Sequence, residues 1–139
     1  MSDTTQPVID LINSLFIATD EHDWDTVRRC LAPHVRFDMT SLTGGQPSTL
    51  TRDQIVAGWE EGLRPIRATH HQAGNYRVRV NGEQAEAFCY GIAYHLLPEG
   101  APARVRTFVG SYDFALERHG GAWQITSFRF ICKFVDPPL

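Results

Sequence analysis

The second half of the chain constrains the fold most, because from His70 onward it reads as long strands joined by tight turns. Tyr76, Val78 and Val80 alternate with Arg77 and Arg79 up to Asn81-Gly82, a pair suited to a two-residue hairpin turn. The return strand spans about Glu83 to Leu97, and a Pro98–Pro102 loop follows. Strands over Arg104–Glu117 and Trp123–Phe134 then flank the turn Gly120-Gly121. Four strands connected this way form an antiparallel meander.

Helical patterns precede them. Val8, Leu11, Ile12, Leu15, Phe16 and Thr19 recur at three- and four-residue spacing, which predicts a helix from about Thr5 to Glu21. Asp23 suits the N-cap of a short helix over Trp24–Leu31, stopped before Pro33. Val35, Phe37 and Met39 alternate with Arg36 and Asp38 as a short strand should. Ser41–Ser48 reads as a loop. Thr51-Arg-Asp-Gln54 has the form of a capping box, and Ile55, Val56, Trp59 and Leu63 give a third helix its apolar face, ended by Gly62 and Pro65. The tail Asp136-Pro-Pro-Leu139 cannot extend a sheet. Helices followed by meandering strands predict an α+β domain, with helices packed on one face of a curved antiparallel sheet and a pocket between them. At 139 residues the chain fits one domain, 1–139.

Composition removes several function classes. A net charge of −3 without any basic stretch argues against nucleic acid and anionic membranes as partners. Cys30, Cys89 and Cys132 are odd in number and widely spaced, without a C-x-x-C pair, as in a cytoplasmic protein with reduced thiols. The opening MSDTTQPVID lacks a basic segment followed by an apolar run, and no later stretch has bilayer-spanning length. There is no G-x-S-x-G elbow, no phosphate-cradling loop and no dinucleotide fingerprint.

Three places can carry chemistry. His70 and His71 are adjacent on an extended segment, so their side chains point to opposite faces and at most one looks inward. A bulge at Gly74 would flip the parity, which leaves the choice open. His95 shares its strand face with Ala87, Cys89, Gly91 and Ala93, small residues that leave room for a packed helix or for a ligand, while Phe88, Tyr90, Ile92 and Tyr94 occupy the other face. Asp20 stands near the end of the first helix, where a carboxylate opposes the helix dipole and needs a partner. Singly, each has a plain explanation as a surface or packing residue.

Together they fit a known pattern. Asp20-Glu-His-Asp-Trp-Asp25, Leu31-Ala-Pro33, Val35-Arg-Phe-Asp38, Thr69-His-His71, the strand ending in His95 and Gly121-Ala-Trp123 resemble the scytalone dehydratase and SnoaL-like branch of the nuclear transport factor 2-like superfamily, over about residues 8 to 134. The resemblance implies a cystatin-like α+β barrel, a cone of sheet around the N-terminal helices with a deep apolar pocket. It also implies catalytic roles for Asp20, His71 and His95. In that family two tyrosines hold a water against the substrate carbonyl; Thr19 and Met39 stand at the matching places, and Tyr112 replaces a pocket asparagine. Thr19, Met39, Tyr112, Trp24 and Phe37 are therefore the expected substrate-binding residues.

The expected chemistry is that of a cofactor-independent lyase, a dehydratase, or of a related cyclase or isomerase. His71, oriented by Asp20, removes a proton beside a carbonyl, and His95 assists the departing hydroxyl. The expected ligand is small and hydrophobic, aromatic or polycyclic, with no metal, and the expected assembly is a homo-oligomer, a dimer or trimer. Other proton-transfer reactions on the same scaffold, a non-catalytic binding protein, and a metal site built from the two histidines and a carboxylate are the competing readings.

Overall fold

The computed structural model describes residues 4–139. Residues 1–3, part of the expected domain and of the segment read for a leader, lie outside the described residues. Helix α1 (Gln6–Glu21) buries Val8, Ile12, Leu15, Phe16 and Thr19, the stripe that the spacing predicts. It ends at His22, whose φ of 57° is left-handed; the N–H groups of His22 and Asp23 return to the carbonyls of Thr19 and Ala18. Asp23 at once caps α2 (Trp24–Cys30), accepting from the Thr26 N–H at 3.2 Å and the Thr26 hydroxyl at 2.6 Å.

Strand β1 (Leu31–Asp38) follows without a loop, so Leu31 is the first strand residue and not the last helical one. Pro33 is tolerated there because neither neighbouring ladder pairs it: one begins at His34, and the other jumps from Leu31 to Arg36. The stretch read as a loop holds a one-turn helix, α3 (Thr40–Thr43), and the start of a short strand, β2 (Ser48–Thr51). Both are too short and too polar to leave a periodic signal. The capping box at Thr51 and Gln54 is present and opens α4 (Arg52–Leu63); Gly62 lies inside that helix, and Arg64 follows it.

Four long strands complete the chain: β3 (Ala68–Asn81), β4 (Gln84–Leu96), β5 (Val105–His119) and β6 (Ala122–Asp136). The six strands form one sheet in the order β2-β1-β6-β5-β4-β3. All pairings are antiparallel except β1 with β6, so the expected antiparallel sheet is mixed. A strand that enters the sheet from a helix, far in sequence from its partner, is free to run parallel to it.

The helices cover one face of this sheet. Ile12, Val27, Leu31, Val35 and Ile125 are fully buried in a single core cluster, joined by Leu116. On β4 the small residues Ala85, Ala87, Cys89 and Ala93 face inward, while Tyr90, Ile92 and Tyr94 are exposed on the outer face. Among the described residues no helix is long and apolar enough to cross a membrane.

Truncating Ile125 to alanine removes buried methyl groups from the centre of this cluster. The Ile125→Ala variant should lose about 2–5 kcal/mol of unfolding free energy in urea titrations, against about 1 kcal/mol for loss of the Thr51 cap in Thr51→Ala.

Candidate active site

The parity of β3 decides which histidine enters the protein. Thr69, His71 and Ala73 are turned inward; beyond Asn75 the inward residues are Tyr76, Val78 and Val80. The switch is a bulge. The pairing with β4 slips between Gly74 and Arg77, and Asn75 adopts a left-handed φ of 56°. His71 therefore faces the core while Arg77 and Arg79 face solvent, and His70 is exposed.

Inside, His71 meets Asp20. The imidazole Nδ1 lies 2.6 Å from one carboxylate oxygen, and the His71 backbone N–H donates to the other at 2.8 Å. The Thr69 hydroxyl donates to Asp20 as well, at 3.2 Å. Both side chains of the pair are only 16% exposed. Burial pulls the Asp20 carboxyl upward, but the His71 ring, the His71 N–H and the Thr69 hydroxyl outweigh it and hold the group below its ordinary value. An ionised carboxylate on Nδ1 fixes the proton there, which leaves Nε2 as the basic nitrogen. Phe16 stacks on the ring at 5.5 Å and keeps it in place.

His71 lines a cavity of about 160 Å³ together with His95, Thr19, Met39 and Tyr112. The sequence thus locates five of the residues around this space. The rest of the wall is apolar: Leu15 and Phe16 from α1, Leu42 from α3, Trp59 and Leu63 from α4, and Ala93, Phe108, Phe128 and Phe130 from the sheet. Apolar periodicity marks Leu15, Phe16, Trp59 and Leu63 as inward-facing, but nothing local separates a cavity wall from packed core.

Trp24 and Phe37, also expected as substrate contacts, do not line this cavity. Trp24 stacks on His22 at 5.5 Å, beyond the turn that ends α1. Phe37 stands behind the wall, stacked on Phe128 at 5.4 Å and tilted against Trp59 at 6.0 Å.

His95 is not frayed at a strand end; its ring packs against Phe108 at 4.7 Å. Burial lowers its pKa to about 4, and His71 and Arg106 add to the effect. It is therefore a neutral imidazole at ordinary pH, able to donate or accept a hydrogen bond. Thr19 directs its hydroxyl back to the Leu15 carbonyl at 2.7 Å, and Met39 offers only a thioether, so neither is a donor to a ligand. The thiols of Cys30 and Cys89 are pushed up to about 11 and about 12 by burial, which leaves them poor nucleophiles. Among the described residues no group of three His, Cys, Asp or Glu side chains is arranged to hold a metal ion.

A carboxylate-fixed imidazole on an apolar cavity, between N-terminal helices and a six-stranded mixed sheet, defines a small α+β pocket protein of the nuclear transport factor 2-like kind. The chain belongs to the SnoaL-like domain family of that superfamily, whose model matches residues 3–129. No curated protein matches it significantly. Among solved structures it is similar to the Kfla4162 protein from Kribbella flavida, at 23% identity and a TM-score of 0.90, covering 95% of this chain and 92% of that one. It is also similar to a candidate scytalone dehydratase from Novosphingobium aromaticivorans, at 13% identity and a TM-score of 0.80 over 94% of this chain and 85% of that one. A type 2 hexachlorocyclohexane dehydrochlorinase gives 16% identity and a TM-score of 0.80 over 98% and 88%. At these identities the likeness establishes the fold, and it shows that proteins named as dehydratases and dehydrochlorinases share it.

Asp20 and His95 predict an acid profile with two arms. Folded His95 refuses a proton that the unfolded chain accepts, so its contribution to stability is present above 6.5 and is lost as pH falls toward about 4. Asp20, with its lowered pKa, contributes above 3.8 and loses that contribution as pH falls further. Urea titrations across this range should show His95→Gln flattening the upper arm and Asp20→Asn the lower one.

Proposed function

We propose that this protein is a cofactor-independent lyase of the dehydratase type, with His71 as the base that removes a carbon-bound proton. The observation that supports this reading is the Asp20–His71 pair, with Nδ1 bound to an ionised carboxylate and Nε2 left free on the wall of an apolar cavity. Such a pair takes up a proton without moving, because the carboxylate already stabilises the cation that forms.

The reaction that suits it is elimination of water from a β-hydroxy carbonyl compound. His71 Nε2 takes the proton from the carbon beside the carbonyl, and the C–H electron pair moves to form an enolate. The enolate then collapses, the carbonyl re-forms, and a carbon–carbon double bond appears as the β C–O bond breaks. The imidazolium returns its proton to the leaving oxygen, which departs as water. His95 donates a hydrogen bond to that oxygen as a neutral imidazole, not as a cationic acid. No redox change occurs, and the enzyme ends in its starting state.

Cavity size bounds the substrate. A cavity of roughly 150 Å³ holds one benzene ring, and the space here is about 160 Å³. This favours a single six-membered ring inside, with substituents at the mouth, over the polycyclic ligand that the sequence reading also allowed.

The test uses 3-hydroxycyclohexanone, followed by the ultraviolet absorbance of the cyclohexenone formed. The wild-type protein should accelerate the reaction, and His71→Ala should lose about 10²–10⁴-fold of that acceleration while remaining folded. Equal rates for the two proteins, or no acceleration by the wild type, would overturn the reading.

A further inference from the structure

We propose that the Tyr112 phenol is the donor that binds the substrate's carbonyl oxygen, and that Gly91 exists as glycine to let its ring reach that position. The proposal deepens the elimination reading and rests on it for the direction in which the substrate lies.

Register places the polar groups in order along the sheet. His71, Ala93 and Phe108 form one row across β3, β4 and β5. His95 stands two residues along β4 to one side of that row, paired with Thr69 and Arg106. Gly91 stands two residues to the other side, and the Tyr112 ring lies over it: a β-carbon built on Gly91 would fall 2.2 Å from Tyr112 Cε2. Two residues of strand span roughly 7 Å. The base is thus in the middle, with His95 on one flank and Tyr112 on the other. A β-hydroxy carbonyl compound has the same order, with the acidic carbon between the hydroxyl-bearing carbon and the carbonyl.

The phenol oxygen is also unspent. Tyr112 is a buried residue lining the cavity, and its hydroxyl has no hydrogen-bond partner among the described residues. No fully enclosed polar side-chain atom among those residues lacks a partner, so this oxygen is one that opens onto the cavity. Phe16 and Phe130, each with its centroid 4.9 Å away, clamp the ring. Burial, together with Cys89 and Asp20, pushes the phenol above its ordinary pKa, so it stays protonated and acts as a donor. A donor fixed in a dry site is suited to an oxygen that gains charge during the reaction. Gly91 acts through Tyr112 and is a positioning residue.

The experiment measures binding of 4,4-difluorocyclohexanone, and of 1,1-difluorocyclohexane as the ring without a carbonyl, by fluorine NMR titration. Tyr112→Phe should weaken the ketone about 5–10-fold, the value of one neutral hydrogen bond, and move the difluorocyclohexane by less than about twofold. Gly91→Ala should produce the same split, and adding it to Tyr112→Phe should change nothing further. His71→Ala should keep the Tyr112-dependent difference. The assignment is overturned if wild type and Tyr112→Phe bind the ketone equally, if both ligands weaken alike, or if the ketone shows no saturable binding. Because binding needs no turnover, equal ketone binding by wild type and Tyr112→Phe, with hydroxycyclohexanone elimination intact, refutes the donor alone. The opposite result refutes the elimination and leaves the donor standing.

Discussion

The contact between Asp20 and the edge strand β3 joins the fold to the site. A carboxylate in the last turn of α1 faces the negative end of the helix dipole and is unfavourable there by itself. Three donors from Thr69 and His71 reverse that balance. One of them is the His71 backbone N–H. β3 is the last strand of the sheet, so this N–H lies on its open edge and takes a carboxylate where a further strand would otherwise pair. The interaction that docks the end of α1 on the sheet is therefore the one that fixes the imidazole tautomer. Removing the carboxylate would loosen the helix end and free the base together.

Burial acts in opposite directions on the ionisable groups around the cavity, and the outcome is a division of labour. Asp20 is buried but richly hydrogen-bonded and stays charged; His95 is buried with no such bond among the described residues and stays neutral. Tyr112 is buried deepest and keeps its proton. A cavity wall with one imidazole backed by a fixed anion, and with two neutral polar groups beside it, fits the proposed reaction, which begins by moving a single proton. Asp20 sits behind His71 and does not line the cavity, so in the proposed reaction it would favour the imidazolium without repelling an enolate directly.

Much of this was legible in the sequence, for reasons that can be located. The α1 stripe, the capping box at Thr51 and the hairpin at Asn81-Gly82 are local signals, and the structure follows them. The small inward face of β4 was visible because alternation along a strand is read residue by residue. β2 was not, because four residues with Leu50 as their apolar member carry no period. Nor was the parallel pairing of β1 with β6, which is a long-range property. The choice between His70 and His71 hung on the bulge at Gly74–Asn75: its possibility showed in the glycine, its occurrence only in the register with β4. That Trp24 and Phe37 stand off this cavity was hidden for a related reason, since lying next to a site in sequence fixes neither residue's direction in space.

The sources of the polar groups carry a further consequence. His71, His95 and Tyr112 come from three adjacent strands, β3, β4 and β5, whereas the helices contribute Leu15, Phe16, Leu42 and Trp59 to the same cavity. The two positions where the resemblance expected phenols are Thr19, whose hydroxyl is turned into α1, and Met39, at the start of α3. Loss of donors from that side leaves the cavity polar on the sheet and apolar on the helices. Under the proposed reading, that asymmetry would orient a ring with its oxygen-bearing edge against the strands and its hydrocarbon edge against the helices. His71, His95 and Tyr112 keep their relative positions because one sheet holds all three.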